Sequence, residues 1–85
     1  MRDLQSAVSR ILVPLVRVLM ARGVRFPEFS DWLKPVFLAV AERHFRMDEK
    51  RLTDSRAHML TGLQRRDIKR LRAAEEDLAD KSAGP

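Results

Sequence analysis

The chain contains no cysteine and no unbroken apolar run approaching the ~20 residues that cross a bilayer. The first absence removes disulfides, thiolate metal sites and cysteine nucleophiles together, so stability has to come from packing, and it suits a reducing compartment. The second argues against a transmembrane span, because the longest apolar stretch, Ile11 to Met20, is broken by Arg17 and contains Pro14. Asp3, Gln5 and Ser6 at the N-terminus, without a small-residue cleavage site, give no signal peptide, and a cytoplasmic location without membrane contact is expected. No glycine-rich phosphate loop, supported Ser-His-Asp trio or paired carboxylates in an apolar setting can be found, so no enzyme and no cofactor are expected. His44 and His58 lie far apart, and only Asp48 is near His44 at ligand spacing, so no metal site is expected either. His44 reads as a helix C-terminal residue and His58 as a half-buried packing residue.

What is present is enough for one small domain. Of 85 residues, 45% are hydrophobic and 34% charged, a balance that disordered chains do not have. Lys and Arg number 17 against 12 Asp and Glu, a formal charge of +5 that favours a polyanionic partner. The charge is unevenly spread: +4 over residues 1–25, −1 over 26–50, +5 over 51–72 and −3 over 73–85.

Apolar residues at Leu4, Val8, Ile11, Leu12, Leu15, Val16, Leu19 and Met20 have the three-four spacing of an amphipathic helix, with a kink or fresh start at Pro14 and a stop at Gly23. A second helix opens at Pro27, and its apolar face is Phe29, Trp32, Leu33, Val36, Phe37, Val40, Ala41 and Phe45. Pro35 is expected to divide it into helices at 27–33 and 35–46. A charged loop, Met47 to Leu52, precedes a third helix capped by Thr53 or Asp54 and ending at Thr61, and a fourth runs from Gln64 to about Leu78. No stretch alternates with period two. The expectation is an all-α domain of four to five helices over residues 1–80, without a β-wing, and a disordered tail at 81–85.

The segment 54–73, DSRAHMLTGLQRRDIKRLRA, has the form of a helix-turn-helix. Gly62 supplies the positive φ of a tight turn, and Ala57, Leu60, Leu63, Ile68 and Leu71 fall where two inner faces meet. The second helix then presents Gln64, Arg65, Arg66, Lys69 and Arg70 outward. Arginine and lysine there can contact phosphates and guanine edges in a major groove, and Gln64 can read adenine. Thr53, Ser55 and Thr61, short hydroxyl residues at the ends of the preceding helix, are candidate phosphate contacts.

Residues 57–71, especially Leu60-Thr61-Gly62-Leu63 followed by Arg65, Ile68 and Leu71, resemble the turn and recognition helix of bacterial helix-turn-helix transcription regulators. Over roughly residues 4–72 the chain also resembles the N-terminal region of a bacterial family of unknown function. Pro14-Leu15-Val16-Arg17, Arg22-Gly23-Val24, Phe26-Pro27-Glu28-Phe29 and Thr53-Asp54-Ser55-Arg56 carry that likeness. The resemblance implies sequence-specific binding of double-stranded DNA. His58 stands where the motif usually has alanine, and Gln64 where a Ser or Thr usually caps the second helix.

Each signal has a plainer reading. The face from Gln64 to Arg72 could simply be solvated, as most surface cations are. Solvation and helix-end complementation account best for Arg2, Arg10, Arg17, Arg22 and Arg25. Trp32, Phe29, Phe37 and Phe45 read as core before they read as a stacking platform, and Glu75, Glu76, Asp77 and Asp80 as a solvated helix end. The first helix is apolar around so much of its circumference that a partner surface is implied, and a homodimer through it would suit paired half-sites on DNA. The alternative function is a protein interaction or oligomerisation module using that helix; RNA binding through the arginine-rich helix is a third.

Overall fold

Four helices form where the three-four apolar spacing was read, and no strand occurs among the described residues. The computed structural model describes residues 1–83 of the chain, with side chains through residue 79. The helices are α1 (Arg2–Ala21), α2 (Phe26–His44), α3 (Asp54–Thr61) and α4 (Arg65–Ala83). The chain divides into two compact units, Met1–Asp31 and Trp32–Pro85.

In the first unit α1 passes through Pro14 as one element, so of the kink or fresh start expected there the fresh start does not occur. A proline forfeits one backbone hydrogen bond, and the surrounding turns hold the helix on either side. Its end is well defined. Gly23 takes φ 83° and donates to the Met20 carbonyl at 3.0 Å, while Val24 donates to that of Leu19 at 2.9 Å. This paired closure satisfies carbonyls that the helix leaves open. Because the helix is continuous, α1 is 20 residues long and contains an 18-residue window of mean hydropathy 1.5, long and apolar enough by length and composition to cross a membrane. The apolar run Ile11 to Met20 alone had argued against a span. No residue of α1 is buried.

The element α2 likewise runs unbroken through Pro35, so the expected division into 27–33 and 35–46 does not occur. It ends at His44, which with Arg43 places basic residues in the last turn beside the negative end of the helix dipole.

Within the second unit the core is small. Leu38 from α2, Ala57 from α3 and Ile68 from α4 are buried together, with Leu63 and Leu71 packed against them. Ala41 and Leu52 are also buried. Two expectations about the core are corrected. Trp32, Phe37 and Phe45 are each about half exposed, at 52%, 51% and 53%. For Trp32 and Phe37 the reason is that α2 is apolar on two sides: Leu38 and Ala41 take the inner one, and Trp32, Val36, Phe37 and Val40 lie on the other, while Phe45 follows the last residue of the helix, His44. Leu60 is exposed too, because on a helix of two turns whose inner line runs through Ala57 and Thr61 it is turned away from both, by about 60° and 100°. With Val36, Phe37, Val40 and Phe45 it lines an open apolar groove of about 320 Å³.

The α3 helix begins as expected at Thr53, whose extended backbone and hydroxyl oxygen, accepting the Arg56 N–H at 3.1 Å, form an N-cap. It ends at Gly62, in the left-handed conformation with φ 77°, whose N–H donates to the His58 carbonyl at 2.9 Å. Leu63 and Gln64 complete a short turn into α4. The Gln64 carbonyl accepts from Asp67 at 3.0 Å and Ile68 at 3.1 Å, so this residue starts the helix through its backbone. The α4 helix continues to Ala83, past the expected end near Leu78 and into the segment 81–85 read as a tail; Gly84 and Pro85 lie outside the described residues.

Candidate nucleic-acid interface

The turn between α3 and α4 is held by side chains as well as by Gly62. The Thr61 hydroxyl donates to the Ala57 carbonyl at 2.7 Å and accepts the Leu63 N–H at 3.1 Å, which occupies it inside the turn. The His58 Nδ1 lies 2.6 Å from the Leu63 carbonyl oxygen. A carbonyl only accepts, so this nitrogen carries the proton and donates. His58 is therefore an exposed turn clamp, not the half-buried packing residue that its position had suggested. The turn keeps α4 fixed against α3 while the outer side of α4 stays open.

That outer side carries the predicted cations. Gln64, Arg65, Arg66, Lys69 and Arg70 are all exposed. Arg65 reaches back to α3, donating from Nη2 to the Ser55 hydroxyl at 3.4 Å, so two of the candidate residues from different helices stand side by side. Arg70 pairs with Asp67 at 3.3 Å, and Asp67 also pairs with Lys34 of α2 at 3.4 Å. Among the described residues, the side chains of Arg66, Lys69 and Gln64 have no hydrogen-bond or ion-pair partner. Thr53 is taken up in the N-cap, as Thr61 is in the turn.

Burial raises the pKa of the Asp67 carboxyl, but hydrogen bonds from Arg70 and Lys34, with their charges, outweigh that and hold it below the usual carboxylate range. A carboxylate with a lowered folded pKa contributes stability that is present above its unfolded pKa and disappears as pH falls through the folded value. A carboxyl-resolved NMR titration is expected to place the Asp67 midpoint below that of the acid-unfolded chain. The tie between α2 and α4 should accordingly survive to a pH below about 4. A midpoint at or above the unfolded value would rule the tie out.

One functional-looking cation turns out to be internal. Arg72, counted with the basic segment in the sequence, is buried, its side chain 10% exposed. Its guanidinium donates to the Glu42 carboxylate at 2.6 Å, to the Leu52 carbonyl at 2.8 Å and to the carboxylate of Asp54. Glu42 also accepts the Leu52 N–H at 3.3 Å. The arginine thus fastens α2, the end of the loop, the start of α3 and α4 at one point. The sequence held a clue: Arg72 follows Ile68 by four residues, and on a helix that puts it on the buried side. The loop before it is ordered by Asp48, which accepts the Lys50 N–H at 2.8 Å, and by Arg46, which donates to the Lys50 carbonyl at 3.0 Å.

In structural class this is a small all-α protein whose second unit presents a basic helix supported by a shorter one across a glycine turn. Residues 1–80 match the family of unknown function DUF6502, and the chain belongs to that family. No curated protein and no solved structure matches it.

Proposed function

We propose that the second unit binds double-stranded DNA as the helix-turn-helix of a transcription regulator, with the N-terminal half of α4 in the major groove. The observation that carries this reading is the state of the cations on α4. Arg66, Lys69 and Arg70 stand three and four residues apart on one exposed face, where like charges are unfavourable to the helix, and Asp67 offsets only Arg70. A polyanion relieves that repulsion. The buried pair Ala57 and Ile68 supports α4 from behind, as a helix presented to a groove requires. Arg65 beside Ser55 gives a second contact point, suited to a phosphate.

The test is fluorescence anisotropy of a labelled mixed-sequence duplex, titrated with the chain and with an Arg66→Ala/Lys69→Ala variant at several salt concentrations. With four or five cations meeting phosphates, log affinity should fall against log salt with a slope of about −4 per protomer, and the variant should lose about 2 of that slope. Arg66→Ala alone should cost about 1–3 kcal/mol on the preferred sequence if it reads a base. A slope unchanged by the double substitution would take α4 out of the interface. Absence of binding even at low salt would favour a protein partner for the apolar surfaces, and stronger competition by duplex RNA would favour RNA.

A further inference from the structure

We propose that a second copy of this chain docks along α1, on a seam made by Leu4, Val8, Ile11, Leu15 and Val18. These residues follow one another at spacings of four, three, four and three, the repeat of 3.5 residues by which two helices pair. At 100° per residue they occupy an arc of about 80°. All five are exposed, at 43–70%. Of the other large apolar residues of the broad face, Leu12, Val16 and Leu19 lie beside the seam and are half-buried, while Met20, beyond them, is 69% exposed. The face is therefore divided by half-buried residues, and the seam is an open strip about two residues wide, apart from Val13 and Met20.

The width of that strip favours a helix as occupant. A helix lying in a lipid interface presents an apolar arc of about 100° or more, and here much of that arc is already half withdrawn. The charges agree. Asp3, Arg10 and Arg17 recur at intervals of seven on the side away from the seam, so self-pairing brings no like charges together across it. Arg22 takes the next seam position and limits the contact to the length of α1. An isologous pairing uses this one surface twice. The seam runs about 21 Å along the axis. That places it at the small end of specific interfaces, roughly 1,200 Å² or less, and the dimer should be in equilibrium with its monomer at micromolar concentrations. The inference does not depend on DNA binding.

Sedimentation velocity of the full chain over ~5 to ~500 µM should show the mass rising from 9.8 kDa towards twice that value. Ile11→Glu should weaken self-association at least ~tenfold by placing an unpaired charge in the seam. Val13→Glu should associate like the parent, since Val13 is 66% exposed but lies off the seam. Circular dichroism should show that both variants keep their helices. The absence of cysteine permits a second measurement that does not depend on a destabilising charge. Ile11→Cys should form a disulfide-linked dimer on mild oxidation at a concentration where Val13→Cys does not. A parent chain that stays at one monomeric mass throughout would overturn the proposal. So would equal damage from the two Glu substitutions, or a monomer that co-sediments with phosphatidylserine vesicles, which would give the seam to a lipid surface.

Discussion

Ile68→Ala is expected to lower the unfolding free energy of the second unit by about 2–5 kcal/mol. Ile68 is the one large side chain wholly withdrawn from solvent among the described residues, and it stands between Leu38 and Ala57. Ala57 is already the smallest residue that keeps a side chain, so it cannot fill the space. The turn at Gly62, tied by Thr61 and His58, prevents α3 from closing in. Partial collapse of the site is therefore small, and the cost should lie in the upper part of the range. Small domains have only ~5–15 kcal/mol in total, so the variant should melt many degrees lower and in less urea. Ile68→Val, which removes one methylene, should cost about 0.5–1.5 kcal/mol. Urea unfolding followed by circular dichroism distinguishes these values. A loss under 1 kcal/mol for the alanine variant would mean that the packing of α4 on α3 does not hold the unit together.

Arg72→Met is expected to cost about 2–3 kcal/mol. Removing one member of a fully buried charge cluster costs ~3–5 kcal/mol, because the partners remain charged and desolvated. Here the side chains of Glu42 and Asp54 are 25% and 36% exposed, and water recovers part of the loss. The Leu52 carbonyl, inside the cluster, loses a donor as well. Arg72→Lys should recover little, since one ammonium cannot reproduce a planar fork that serves two carboxylates and a carbonyl. A triple replacement of Arg72, Glu42 and Asp54 by apolar residues of similar size should recover most of the stability. If Arg72→Met were neutral in urea titration, the cluster would be incidental. If the triple variant were as unstable as the single one, packing rather than unpaired charge would be the cause.

Helix type was legible because α-helical periodicity is local. Leu4 to Met20, Thr53 to Thr61 and Ile68 to Leu71 each report their own helix through residues three and four apart, and Gly23 and Gly62 mark the stops by a conformation that other residues avoid. Continuity through Pro14 and Pro35 was not legible, since the local penalty of proline is visible in sequence and the support from neighbouring turns is not. The core was legible in part. Ala57 and Ile68 were assigned by spacing, but spacing cannot say which of two apolar sides of α2 goes inward, and so Trp32 and Phe37 were misplaced; Phe45 was misplaced because the helix ends one residue before it. At the candidate site, the exposure of Arg65, Arg66, Lys69 and Arg70 matches what their positions suggested. Occupation of Thr53 and Thr61 by their own backbone was foreshadowed by the capping preference of threonine. Arg72 was hidden because its partners, Glu42 and Asp54, come from distant stretches of chain.

That distance sets an order of events during folding. Ala57 and Ile68 are close neighbours along the chain, separated by a turn that α3 and α4 can close with little loss of chain entropy. The Arg72–Glu42 pair closes a span of 30 residues that includes the whole charged loop. Contacts between near neighbours form early and distant ones late in small helical proteins. Ile68→Ala should therefore slow refolding in a stopped-flow experiment through its contact with Ala57 and also hasten unfolding through its distant contact with Leu38, whereas Arg72→Met should act chiefly by hastening unfolding. The guanidinium works as a latch that sets how long the unit stays folded, rather than as a nucleus that brings its helices together.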